Sequence, residues 1–262
     1  MCLIFISVDA HPKYKLVVAA NRDEFYKRKT TPAGFWSNYP DLVAGRDLEA
    51  GGTWMGATKA GKISMVTNFR DPANIDPQAP SRGHLVADFL SNGQAPLEYL
   101  KEISLKAGQY NGFNLVAGWG DELLYFSNYQ NKILKLDPGL YGLSNHLLDT
   151  AWPKVARGKE KMKSLLEEKE IDRTALFNLL SDTRIAPDDQ LPATGISIER
   201  ERALSAMFIK TPDYGSRCST LILQDREGNM EFVERVFDLQ NFSYVENEFK
   251  WKLPTEGLKK II

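Results

Sequence analysis

Cys2-Leu3-Ile4-Phe5-Ile6, Asp9-Ala10-His11-Pro12, Leu16-Val17-Val18-Ala19-Ala20 and Asn21-Arg22-Asp23-Glu24 follow one another within the first twenty-four residues, and their reading decides the fold. The first apolar run is rich in β-branched and aromatic residues and predicts a buried strand. Pro12 cannot donate to a ladder, so Asp9–Pro12 reads as a turn. Leu16–Ala20 predicts the returning strand. The resulting hairpin brings Cys2, at its open end, close to the four polar residues that follow Ala20. A polar tetrapeptide after a strand ordinarily marks only the strand end. A thiol across the hairpin gives this one a chemical reading.

Cysteine at position 2 is small enough to permit removal of Met1. The freed α-amine and the thiol then have reference pKa values of about 8 and about 8.5. The amine can serve as the local base for its own side chain. The competing reading of Cys2 is a small buried hydrophobe at a strand start.

The 262 residues suit one large domain or two small ones, and 43% hydrophobic content supplies a full core. A net charge of −1 argues against nucleic-acid and polybasic membrane binders. The only two cysteines, Cys2 and Cys218, make neither a disulfide framework nor a metal site, and a reducing, cytoplasmic setting is expected. The first apolar run lacks a basic leader and does not read as a signal peptide. No apolar stretch is long enough for a membrane span. No cofactor is expected.

Further along, Phe25–Asp47 is broken by Pro32, Gly34 and Pro40 and reads as a long irregular loop carrying Phe35, Trp36 and Tyr39. Gly56-x4-Gly61-Lys62 begins like a phosphate-binding loop. Ile63 then stands where Ser or Thr must meet the magnesium ion, and a strand follows instead of a helix. A glycine-rich hairpin is the better reading. Helices are expected after Ser81, from Pro96, from Trp152 to Lys169, and after Asp172. Asp182–Glu201 reads as a second long loop, suited to a lid. Strands are expected at Ile63–Asn68, Phe113–Gly118, Leu123–Ser127, Lys132–Leu136, Ala206–Ile209, Ser219–Leu223 and Glu231–Phe237. Hairpins dominate, so the expectation is an α+β chain with two stacked antiparallel sheets and helices outside them.

Asn21-Arg22-Asp23-Glu24 is the tetrapeptide that names the NRDE family, also called the transport and Golgi organisation protein 2 family. The chain resembles that family well beyond it. Met1-Cys2, Gly51-Gly52-Thr53-Trp54, Thr67-Asn68-Phe69-Arg70, Ser81-Arg82-Gly83, Asn111-Gly112-Phe113-Asn114, Gly142-Leu143-Ser144-Asn145 and Trp152-Pro153-Lys154 occur in the family's order. The family is in turn similar to N-terminal nucleophile hydrolases of the choloylglycine hydrolase and penicillin V acylase branch. That similarity implies a four-layer αββα sandwich of two antiparallel sheets in a single domain, residues 1–262.

The same resemblance implies site residues. Cys2 matches the nucleophile, and Asp23 the aspartate that holds the α-amine. Asn68 and Asn145 match two asparagines of the site. Arg217 matches an arginine beside the nucleophile. The hydrolases carry another arginine where this chain has Ala20. Apart from the resemblance, Asn21, Arg22, Trp36 of the aromatic loop and His146 beside Asn145 are expected around the substrate, with a structural role as the competing reading of His146, and alternation sends Arg22 to the face opposite Asn21 and Asp23. Cys218, next to Arg217, is expected to alternate into the core. Two functions follow from the resemblance. One is hydrolysis of a linear amide or thioester with an apolar acyl group. The other is non-catalytic binding or trafficking of a lipid, an acyl-CoA or haem on the same fold. The sequence does not specify the oligomeric state. Protein from its native host is predicted to begin at Cys2; N-terminal sequencing that finds Met1 retained would remove the self-activated nucleophile.

Overall fold

The computed structural model describes residues 2–254, so the fate of Met1 lies outside the described residues. Cys2–Val8 forms strand β1 and Tyr14–Phe25 forms β2, and the two pair antiparallel. The alternation of β1 shows how the molecule is layered. Ile4 and Ile6 join one hydrophobic cluster, with Val18 and Ala20 of β2. Leu3 and Phe5 join another, with Val17 and Ala19. A strand buried on both faces reads as an unbroken apolar run, the pattern of Leu3–Ile6.

The remaining strands are β3 (Thr30–Trp36), β4 (Tyr39–Asp47), β5 (Met55–Thr58), β6 (Lys62–Asn68), β7 (Phe113–Trp119), β8 (Glu122–Ser127), β9 (Lys132–Lys135), β10 (Gly139–Leu143), β11 (Tyr214–Asp225), β12 (Asn229–Phe237) and β13 (Tyr244–Lys252). One sheet has the order β10-β1-β2-β11-β12-β13 and the other β3-β4-β5-β6-β7-β8-β9, with every named pair antiparallel. Helices α1 (Gly83–Ser91) and α2 (Pro96–Lys106) cover the second sheet through Leu85, Phe89, Leu100 and Ile103. Helices α3 (Pro153–Leu166) and α4 (Arg173–Leu180) cover the first through Val155, Met162, Leu176 and Leu180. A short α5 (Ile198–Leu204) follows. The order of layers is therefore helix, sheet, sheet, helix, as expected.

Several local expectations need correction. Phe25–Asp47 is no irregular loop: it contains the end of β2 and the β3–β4 hairpin. Pro32 is tolerated because β3 is the sheet's edge and the register shifts between Thr31 and Gly34. Ala206–Ile209 is buried but forms no strand. Its backbone serves side chains instead of a ladder: Asn21 donates to the Met207 carbonyl, and the Ile209 amide donates to Ser216 Oγ. Asp182–Glu201 contains the start of α5. Strand β13 was not anticipated, because its alternation is nearly all polar on the outer face. On the inner face Phe249 and Trp251 pack edge-on against Phe35 of β3 and close one side of the sandwich.

Lys62, in the segment that resembles a phosphate loop, points at carbonyls. Its buried ammonium donates to the Phe89, Asn92 and Gln94 carbonyls, at 3.2, 2.8 and 2.8 Å, and so caps the C-terminus of α1. Lys62→Met is expected to lower stability by about 1.5–3 kcal/mol, the usual scale for charged hydrogen bonds, in a denaturant titration. Gly158 of α3 leaves no room for a side chain, since a Cβ there would lie 2.0 Å from Phe5 Cζ. Gly158→Val is expected to lower the thermal midpoint and to separate α3 from β1.

Candidate functional site

The cluster Asn21–Glu24 lies inside β2, and the strand's period of two splits it between layers. Cys2 pairs with Arg22 across β1 and β2, and Cys218 pairs with Arg22 across β11 and β2. These three side chains share the face between the sheets. The guanidinium of Arg22 lies 3.9 Å from the Glu24 carboxylate. Burial pushes the Cys2 thiol up from its ordinary value, and the Asp23 charge adds to that; Arg22 opposes both. The cation adjacent to the thiol is therefore Arg22.

Asn21 and Asp23 face the helical layer. The Asn21 amide donates to the Leu180 and Met207 carbonyls, each at 2.8 Å, and its oxygen accepts from Ser219 at 2.6 Å. Asn21 thus clips α4 and the following segment to the sheet and does not line a ligand space. Asp23 is fully buried. Its Oδ1 accepts from Ser216 at 2.6 Å, and its carbonyl accepts from the Tyr214 hydroxyl at 3.0 Å. Burial pushes the Asp23 carboxyl up, while Lys154 and the Ser216 bond pull it down.

Between the sheets, at the Cys2 end, lies a cavity of about 630 Å³. Cys2, Arg22, Asp23, Arg217 and Cys218 border it from the first sheet, and Asn68, Val66 and Arg46 from the second. The loop before α1 adds Pro77, Ala79, Pro80 and Arg82. Asn145 is not in this wall. Its amide donates to the Asn68 carbonyl at 3.0 Å, and Ser144 Oγ lies 3.2 Å from the Cys2 carbonyl and 3.3 Å from Asn145 Oδ1. Ser144 and Asn145 therefore link the Cys2 backbone in one sheet to the Asn68 backbone in the other. Arg217 reaches the cavity, but its Nη1 donates to the carbonyls of Phe25, Tyr26 and Arg28, clamping the turn after β2.

Two further expected substrate neighbours lie elsewhere. Trp36 faces the outer helical layer, donates to the Ala44 carbonyl at 3.1 Å, and is stacked by Arg46. His146 bonds Thr150 through Nδ1 at 2.8 Å and packs between Phe69 and Trp152. Cys218 is buried, as expected, but its face does not follow simple alternation. A bulge between Ser216 and Cys218 inserts Arg217 as an extra residue, so Cys218 turns to the cavity side. There burial pushes its thiol well up, and the neighbouring Glu234 carboxylate adds to that.

Arg82, Arg28 and Arg46 were not anticipated in the site. Arg82 sits in a motif whose first visible role is packing: the Gly83 carbonyl accepts from the Thr53 amide, and a Cβ at Gly52 would lie 2.5 Å from the Gly83 carbonyl carbon. Its guanidinium donates to the Gly112 carbonyl at 3.0 Å. Among the described residues no group of three or more His, Cys, Asp or Glu is placed to hold a metal ion. Among the described residues no helix is long and apolar enough to cross a membrane.

The geometry agrees with the comparisons. Residues 1–239 match the family model described as Transport and Golgi organisation 2. The transport and Golgi organization protein 2 homolog of Bos taurus is 39% identical over 256 residues, covering 90% of this chain and 92% of that protein. The Homo sapiens homolog is 36% identical, covering 94% and 96%. Among solved structures, a C2A mutant of the conjugated bile acid hydrolase from Clostridium perfringens superposes with a TM-score of 0.51 at 8% identity, over 97% of each chain, which is a likeness of fold alone. This chain belongs to the transport and Golgi organisation 2 family, on the fold of the N-terminal nucleophile hydrolases.

Proposed function

We propose that this chain is an N-terminal cysteine hydrolase that cleaves a linear amide or thioester bearing an apolar acyl group. The observation that carries the reading is the position of Cys2: it opens a two-sided cavity with Asn68 on the facing sheet. The Cys2 sulfur attacks the carbonyl carbon, and the α-amine freed by loss of Met1 takes the thiol proton. The Asn68 amide donates to the oxygen on which charge develops. The tetrahedral intermediate expels the amine or thiol, which leaves with that proton. Water then hydrolyses the acyl-cysteine to the carboxylic acid and returns the thiol. Asp23 orients the amine, and Arg22 favours the thiolate. Asn145, through its bond to the Asn68 carbonyl, holds the donor strand in place and supplies no donor itself. Val66, Trp54, Val236 and the proline loop 77–80 offer the acyl group apolar wall. The reading takes the chain as one domain acting in the cytoplasm.

A second reading, non-catalytic binding of a lipid or acyl-CoA, is supported by one feature. Five arginines, Arg22, Arg28, Arg46, Arg82 and Arg217, border the cavity, and the hydrogen bonds of Arg82 and Arg217 go to carbonyls instead of carboxylates. That lining suits an anionic head on an apolar tail. Haem fits less well, since no histidine borders the cavity and Cys2 and Cys218 are the strong axial donors there.

Cys2→Ala is expected to abolish turnover of N-acyl amides or acyl thioesters, and Asn68→Ala to lower kcat about 10²–10³-fold. Tight acyl-ligand binding unchanged by Cys2→Ala, with no turnover by the wild type, favours the binding reading instead. Because burial holds the thiol neutral, the rate of Cys2 alkylation by iodoacetamide should rise continuously from neutral to alkaline pH. A rate that is flat across that range would mean a thiolate already formed.

A further inference from the structure

Lys154 is 1% exposed, and among the described residues its ammonium has no hydrogen-bond partner. A lysine is almost never fully buried unless it is paired, and an isolated buried ammonium is among the costliest groups a fold can hold. The fold also does not need it for packing alone, since Val155, Met162 and Leu166 already supply the apolar face of α3. Its placement suggests what it is for. Gly158 of α3 sits on Phe5 of β1, and Val155 sits on Gly142 of β10. One turn before Gly158, about 5.4 Å along the axis, Lys154 stands over the Cys2 end of β1. There the odd-numbered residues of β2, Asn21 and Asp23, enter the same layer.

The charges that surround this point come from every neighbouring element. Cys2 and Arg22 stand on the sheet, and Asp23 is held by Ser216 and Tyr214 of β11. Arg70, from the segment after β6, pairs with Glu201 of α5 at 2.7 Å, with its guanidinium 4.7 Å from the ring centroid of Trp152. Glu201 also accepts from the Thr194 amide at 3.0 Å. Arg70 and Glu201 therefore answer each other. Asp23 and Lys154 are buried in the same layer beside that pair. Lys154 is the charge that acts most strongly on Asp23, and Asp23 is the charge that acts most strongly on Lys154. Burial pushes the lysine down to about 8, so it remains mostly charged at neutral pH.

We infer that Lys154 is a positioning residue, the internal counter-charge that keeps the buried Asp23 carboxylate ionised at neutral pH. Asp23 needs that charge to hold an α-ammonium beside Cys2. The bond from Ser216 also favours the ionised acid but brings no charge, and among the charges that act on Asp23 that of Lys154 is the strongest. The inference rests on the proposed role of Asp23, but its test needs no turnover.

The test is the carbon-13 carboxyl resonance of Asp23, assigned with Asp23→Asn and followed through a pH titration of the full chain. In the wild type the carboxyl should be ionised at neutral pH. In Lys154→Met the midpoint should move up by at least about one pH unit, a tenfold change in the protonated-to-ionised ratio. Lys154→Arg should keep the wild-type midpoint. An Asp23 that is protonated at neutral pH in the wild type overturns the inference without any variant, so misfolding of Lys154→Met does not shield it. An unmoved midpoint in a folded Lys154→Met overturns it as well. If the chain hydrolyses acyl substrates, kcat of Lys154→Met should recover as pH rises through the new midpoint; a loss that no pH restores, with the midpoint unmoved, assigns Lys154 to packing alone. Absence of hydrolysis in the wild type defeats the hydrolase reading and leaves the titration result to stand or fall by itself.

Discussion

Strands β1 and β2 are buried on both faces, and the site depends on that constraint. A strand with two cores must send successive side chains into different layers. Along Asn21-Arg22-Asp23-Glu24 the consequence is a division of labour. Asn21 and Asp23 go to the helical side, where an amide and a carboxylate can be fully satisfied or balanced. Arg22 and Glu24 go to the space between the sheets, beside the thiol. A one-residue slip of β2 would exchange the two sets and place a carboxylate against the Cys2 thiol, raising it further.

The second dependence is the seam between the sheets. The cavity at the Cys2 end is walled by residues of both sheets, and its two walls need a common reference. Ser144 and Asn145 provide one, bonding the Cys2 carbonyl on one side and the Asn68 carbonyl on the other. The Arg70 amide donates to the Asn145 carbonyl at 2.7 Å, which brings the strand end after Asn68 into the same link. Residues that resemble catalytic donors in sequence can thus act one step back, on backbone, and still fix a distance on which the proposed chemistry depends.

Much of this was legible beforehand. The apolar run Leu3–Ile6, the hairpin turns and the helical spacing in α2 to α4 carry their structure locally, so the layer order could be read from them. Cys2, Asp23, Asn68 and Arg217 do border or adjoin one space. What could not be read is what depends on non-local geometry. The bulge at Arg217 reverses the face of Cys218, and no local pattern signals it. Trp36 was assigned to a ligand because Phe25–Asp47 looked irregular, whereas Pro32 only marks an edge strand. Ala206–Ile209 has strand composition but spends its backbone on Asn21 and Ser216. Lys154 reads as one more charge on a helix whose other lysines are solvated; only the tertiary packing reveals that it is buried.

The central claim is that Cys2 is the group that takes the acyl chain. The most direct measurement is peptide mapping after brief exposure to an acyl β-lactone, a reagent that transfers its acyl group to a nucleophile and leaves a stable mass increment. The account predicts a single increment on the peptide that begins with Cys2, with Cys218 unmodified although it borders the same cavity. Acylation of Cys218 in preference to Cys2, or no acylation of a folded protein that binds the same reagent's hydrolysed form, would contradict it.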